Sequence, residues 1–116
     1  MKYARARDAN EKEIVAALIA IGCTVSRLGD TGVPDLLVGY HGHTVLLEVK
    51  LPLGVRGGVH HNGHGGKGDL TRAQVIWWDS WRGSPAHVVR SAAEALAAVT
   101  GLTATTQQPE LSGGAQ

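Results

Sequence analysis

Three polar side chains sit where an apolar run would otherwise be unbroken: Asp35 directly after Pro34, and Glu48 and Lys50 within Val45-Leu46-Leu47-Glu48-Val49-Lys50-Leu51. Side chains alternate along a strand, so Glu48 and Lys50 share one face and Val49 takes the other. A hairpin would set Asp35 across the ladder from them. Isolated charges in apolar surroundings lose hydration and must be paired or bound to a cation. Two carboxylates and a backbone carbonyl form a hard-oxygen site suited to Mg²⁺ or Mn²⁺. A neighbouring lysine could orient or deprotonate a water while the metal polarises a phosphoryl oxygen. The competing reading is a solvated Glu48–Lys50 ion pair at a strand end, contributing about 0–1 kcal/mol.

The elements that must position these residues are legible in the patterning. Asp35 to Tyr40 and Thr44 to Leu51 read as strands joined by a His41-Gly42 turn. Upstream, Ile14, Val15, Leu18 and Ile21 recur at helical spacing from Glu11 to Ile21, with Gly22 as a stop. On that wheel Glu11 falls inside the apolar stripe and Glu13 opposite. Glu11 therefore points inward, or else belongs to the first helical turn and reaches back to Asp8 as a cap. Cys23 to Leu28 forms a strand with Arg27 near its end, and Gly29 to Gly32 a loop feeding Pro34-Asp35.

Asp69 or Thr71 caps a helix running to about Arg82 and stopped by Gly83. Leu70, Ala73, Trp77 and Trp81 share its face, which assigns both tryptophans to the core and leaves Trp78 for a rim or dimer contact. Gln74 lies in the middle of that face and must bond nearby backbone or border a polar site. Ala86 to Arg90 makes a last strand, and Ser91 with Glu94 a capping box for a helix to Val99.

With 116 residues, 43% of them hydrophobic, the chain supports a single α/β domain, placed at residues 1–102. Residues 103–116 carry few large apolar side chains and are expected to be a disordered tail. The lone Cys23 cannot form an internal disulfide, and no apolar run approaches a membrane span of ~18 residues. A cytoplasmic protein is expected. Eleven basic and ten acidic residues argue weakly against a strongly electrostatic nucleic-acid binder. The basic residues nonetheless cluster: Lys2, Arg5 and Arg7 before the first helix, and Arg56, Lys67 and Arg72 around a glycine- and histidine-rich stretch, residues 53–68. That stretch is read as a flap over the substrate, with Arg56 and Lys67 on phosphates, rather than as a histidine metal site.

Pro34-Asp35 followed by Glu48-Val49-Lys50 resembles the PD-(D/E)xK nuclease signature. With Glu11, Gly22, Arg27, the Gly-rich loop and the Leu70-Thr71-x-x-Gln74-x-x-Trp77 run, residues 11 to about 99 are similar to VRR-NUC domains and to archaeal Holliday-junction resolvases. The resemblance implies a restriction-endonuclease-like α-β-β-β-α-β-α sandwich with a four-stranded mixed sheet. It also implies a metal-dependent DNA endonuclease of viral or bacterial replication, recombination and repair, acting on branched DNA, four-way junctions first, as a homodimer. In that reading Asp35, Glu48 and the Val49 carbonyl bind Mg²⁺ or Mn²⁺, with Glu11 as a direct or water-bridged ligand. Lys50 positions the attacking water, and Gln74 holds Lys50 or the scissile phosphate. Arg5, Arg7, Arg27, Arg56, Lys67 and Arg72 are the DNA-contacting candidates. The alternatives are a non-catalytic DNA-binding or assembly module of the same fold, and a flap or nicking nuclease in a replication complex.

Overall fold

A computed structural model of the chain describes residues 2–52 and 70–101, with side chains from Arg7 onward. The expectations for the Arg5 side chain, for the 53–68 flap with Arg56 and Lys67, and for the tail at 103–116 lie outside the described residues. Helix α1 spans Lys2–Ala20, followed by β1 at Thr24–Arg27, β2 at Leu36–Tyr40 and β3 at His43–Val49. Helix α2 covers Arg72–Ser80, strand β4 Ala86–Val89, and a last helix, α3, residues 92–101. The α-β-β-β-α-β-α order and a four-stranded mixed sheet are thus present. The strands lie in the order β1-β2-β3-β4, antiparallel except for the parallel β3–β4 pair.

The β2–β3 hairpin closes through His41 (φ 49°) and Gly42 (φ 82°). Two successive positive φ values define the type I′ turn, whose twist matches that of the flanking strands. This turn fixes the register, pairing Tyr40 with His43 and Leu36 with Leu47.

Alternation then sorts the side chains. Leu36, Val38, Val45, Leu47, Val49 and Val89 project to one face, where they bury against Ile14 and Leu18 of α1 and Ala95 and Val99 of α3. Each fully buried aliphatic side chain of this kind contributes about 1.5–3 kcal/mol. Helix α2 lies on the opposite face, where its Gln74 meets Glu48 of β3. The sheet is therefore sandwiched, with the main core on the α1/α3 side.

Four expectations require correction. Helix α1 begins at Lys2, so Lys2, Arg5 and Arg7 are helical rather than preceding the helix, and Glu11 is mid-helix and cannot cap its first turn. The extension, residues 2–10, lacks apolar periodicity but carries three Ala, two Arg and one Lys and no Gly or Pro, so propensity carries it. Its end falls at the expected Gly22, at φ 100°. There the Gly22 N–H donates to the Ile19 carbonyl at 3.0 Å and the Cys23 N–H to the Leu18 carbonyl at 3.0 Å, a Schellman closure.

The tryptophan assignment also changes, because no residue of α2 is buried. Trp77 and Trp81 stack on each other at 4.9 Å, and Trp81 is 39% exposed. The core they were assigned to lies across the sheet, and Trp81 sits at the helix C-cap in extended conformation, its indole N–H donating to the Ser84 carbonyl at 2.6 Å. Helix α2 consequently ends at Ser80, short of Arg82. At α3 the box is offset by one residue: Ser91 Oγ accepts from the Glu94 N–H at 3.1 Å, but the Glu94 carboxylate accepts from the Arg90 N–H at 2.7 Å.

Helix α2 rests on the loop that delivers Asp35. Gly32 has φ +86°, and a Cβ there would meet the Ala73 carbonyl oxygen at 2.8 Å. Gly32→Ala is expected to destabilise the protein by about 2 kcal/mol in urea denaturation, through left-handed backbone strain plus the steric push on α2. A change below a few tenths of a kcal/mol would show that α2 does not bear on this loop.

Candidate functional site

The hairpin register brings the acidic residues together. Beyond the Leu36–Leu47 pair the next position sets Asp35 opposite Glu48, on the α2 face of the sheet. Buried Pro34 leads into Asp35, whose carbonyl accepts from the Leu28 N–H at 2.8 Å. The Asp35 side chain is anchored too, because its Oδ2 accepts from the Val49 N–H at 2.8 Å. Its Oδ1 faces Arg7 of α1 at 3.4 Å.

Glu48 is 1% exposed, an extreme position for a carboxylate. Its Oε2 accepts from Gln74 Nε2 at 2.9 Å and lies 3.6 Å from Lys50 Nζ. Gln74 Oε1 in turn accepts from Lys50 Nζ at 3.0 Å and from the Thr71 N–H at 2.9 Å. Because Gln74 is the third residue of the capping box begun by Thr71, helix initiation and site assembly use the same amide. Both sequence readings of Gln74, backbone partner and neighbour of a polar site, therefore hold. The solvated Glu48–Lys50 pair does not, since Lys50 is only 16% exposed and Glu48 is buried.

One atom in this network is unsatisfied: among the described residues the buried Glu48 Oε1 has no hydrogen-bond partner. A buried orphan acceptor on a charged group is strongly unfavourable. Burial pushes the Glu48 carboxyl up to about 7, the Asp35 charge adds to the rise, and Lys50 and Arg7 oppose it. The chemistry of these donors suits a divalent cation, which would satisfy Glu48 Oε1 and offset the repulsion from Asp35, whose Oδ1 among the described residues has the long Arg7 contact.

Glu11 does not join this group. Its Oε2 accepts from Arg27 Nε at 2.8 Å, beside a cleft of about 360 Å³ lined by Asp8, Glu11, Lys12 and Arg27. Arg27 pairs with Leu36 in the sheet and so shares the α1 face, which draws Glu11 to the side opposite Glu48. Among the described residues no three His, Cys, Asp or Glu side chains gather closely enough to hold a metal, so the expected contribution of Glu11 to the ligand set is not assembled. Of the basic candidates, Arg7 touches the site, Arg27 is committed to Glu11, and Arg72 is exposed in the first turn of α2 two residues before Gln74.

Two supporting residues escaped the sequence reading. Asn10 Nδ2 donates to the Lys50 carbonyl at 2.9 Å and to the Arg90 carbonyl at 3.1 Å, tying α1 to the ends of β3 and β4. The 6% exposed Arg90 donates from its guanidinium to the Leu51 carbonyl. The sequence carried no signal for Asn10, which preceded the helix expected from Glu11 and became helical only because α1 begins at Lys2. Among the described residues no helix is long and apolar enough to cross a membrane. Comparison with protein-family models, curated proteins and solved structures finds no match to this chain.

Proposed function

We propose that the chain is a metal-dependent DNA endonuclease of the PD-(D/E)xK type, nearest in pattern to VRR-NUC domains, with the restriction-endonuclease-like version of its α/β sandwich. The observation that carries this reading is the buried Glu48 carboxylate, opposite Asp35 and beside Lys50, with one oxygen left without a partner among the described residues. Burial of that kind is explained by a ligand more readily than by stability.

In this reading Asp35, Glu48 and the Val49 carbonyl would hold Mg²⁺ or Mn²⁺, which when bound would polarise the scissile phosphoryl group and offset the charge that builds there. Lys50 orients the attacking water through its ammonium group. Gln74 fixes the Lys50 ammonium by accepting one of its N–H bonds at 3.0 Å, and keeps the Glu48 carboxylate turned by donating to Oε2 at 2.9 Å. Asp35 is oriented by the Val49 N–H, so its second oxygen has a fixed direction.

Branched DNA, four-way junctions first, is the proposed substrate, and a twofold dimer would supply two equivalent sites for two equivalent strands. A cytoplasmic role in replication, recombination or repair belongs to the same proposal. The test is cleavage of junction, flap, nicked and plain duplex DNA with Mg²⁺, Mn²⁺ or EDTA. Metal-dependent cutting strongest on the junction is the expected result. Intact DNA in every lane with both metals would refute the nuclease reading, and equal cutting of all four substrates would refute the junction preference.

A further inference from the structure

Arg7, a DNA-contacting candidate in the nuclease reading, pairs instead with the Asp35 carboxylate, a contact that reading does not account for. Asp35 has one oxygen committed to the Val49 N–H at 2.8 Å, and Arg7 stands against the other, at 3.4 Å, with its side chain 45% exposed. Asp35 is also one of the two carboxylates that would hold the cation in that reading. A guanidinium cannot lose its charge by deprotonation, so an arriving cation must displace it rather than neutralise it. The long contact and the exposure make that displacement easy.

Once displaced, Arg7 remains within a side chain's length of the same spot, anchored on α1. Its fork of N–H donors matches phosphate oxygens, which any phosphodiester bound at the cation would bring there. We infer that Arg7 is an exchangeable counter-ion, holding Asp35 Oδ1 in the cation-free protein and passing to a phosphate oxygen when a divalent cation takes its place. The inference rests on the reading of Asp35 and Glu48 as a cation site. It adds to that reading an order of events: cation and nucleic acid bind cooperatively, because each removes the partner that Arg7 would otherwise keep. Linkage makes the effect reciprocal, so DNA must tighten the cation by the same factor that the cation tightens DNA.

The experiment is calorimetric titration of Mn²⁺ into the wild-type protein and Arg7→Ala at pH 8. It is paired with anisotropy of a labelled 20-base-pair duplex at the same pH, with and without Mn²⁺, in a Lys50→Met background that slows cleavage by about 10²–10⁴. Alanine favours the helix at this exposed position, so the variant is expected to fold. Arg7→Ala should bind Mn²⁺ about two- to fivefold more tightly, the range set by an exposed ion pair. It should lose duplex affinity by a similar factor with Mn²⁺ present and change little without it. Equal Mn²⁺ affinity in the two proteins, or an equal loss of duplex affinity with and without Mn²⁺, would overturn the exchange and leave the cation site standing. Absence of Mn²⁺ binding in both proteins would instead remove the cation site, and the exchange with it.

Discussion

Glu48→Gln is expected to make the metal-free protein more stable at pH 8, by about 1–3 kcal/mol, while lowering DNA cleavage at least about a hundredfold. A gain in stability from deleting a buried network charge is unusual, and its sign follows from the titration. The unfolded chain releases the Glu48 proton near 4.5, the folded protein only near 7. Between those values the folded state binds the extra proton, so stability falls as pH rises through the window, by about 3 kcal/mol in total, and stays low above it.

Glutamine keeps the shape without the charge. Its carbonyl can accept from Gln74 Nε2, and its amide can donate toward Asp35, as a protonated glutamic acid does. The pH slope between 4.5 and 7 should therefore be lost in the variant. Thermal denaturation at pH 4, 6 and 8 reads this directly, with the two proteins converging at pH 4. Saturating Mn²⁺ at pH 8 should reverse the order, raising the wild-type melting temperature and leaving the variant where it was. A variant less stable than wild type at pH 8 without metal would mean that the carboxylate is already satisfied, and the cation reading would lose its foundation.

Lys50→Met is the second large effect. Methionine retains the apolar stem and removes the ammonium, so cleavage should fall by about 10²–10⁴, the range for loss of a positioned acid–base group. Folding should survive, because Gln74 Oε1 keeps the Thr71 N–H at 2.9 Å and the capping box of α2 with it. Metal binding separates this role from a merely electrostatic one. Lys50 holds the Glu48 value down, so its removal raises that value further and weakens Mn²⁺ binding near pH 7. At a pH high enough for Glu48 to be ionised in both proteins, their Mn²⁺ affinities should agree within a few-fold. A variant that cuts normally there would show that Lys50 acts only by tuning Glu48.

The sequence by itself determined the order of elements, the hairpin and its turn, and the pairing of Asp35 with Glu48. Each is a consequence of short-range chemistry. His41-Gly42 tolerates the two positive φ values of a type I′ turn, that turn sets the register, and the period of two puts opposing residues on one face. Gly22 and Thr71 marked helix ends for equally local reasons. Helix α1 ran further than its pattern because its extension depends on propensity without an apolar stripe, which periodicity cannot detect.

Tertiary structure decided what short-range rules cannot reach. Glu11 had an inward helical phase, but whether it met Glu48 or Arg27 depended on which face of the sheet α1 would cover. Trp77 and Trp81 shared an apolar face, yet α2 lies across the sheet from the main core, and no residue of that helix is buried. Asn10 and Arg90 contact backbone carbonyls 40 and 39 positions away in the chain, separations at which sequence carries no geometric information. The unsatisfied Glu48 oxygen belongs to this second group as well. A charged residue in an apolar strand is visible in the sequence, but only the packing of a sheet and three helices determines whether each of its oxygens finds a partner.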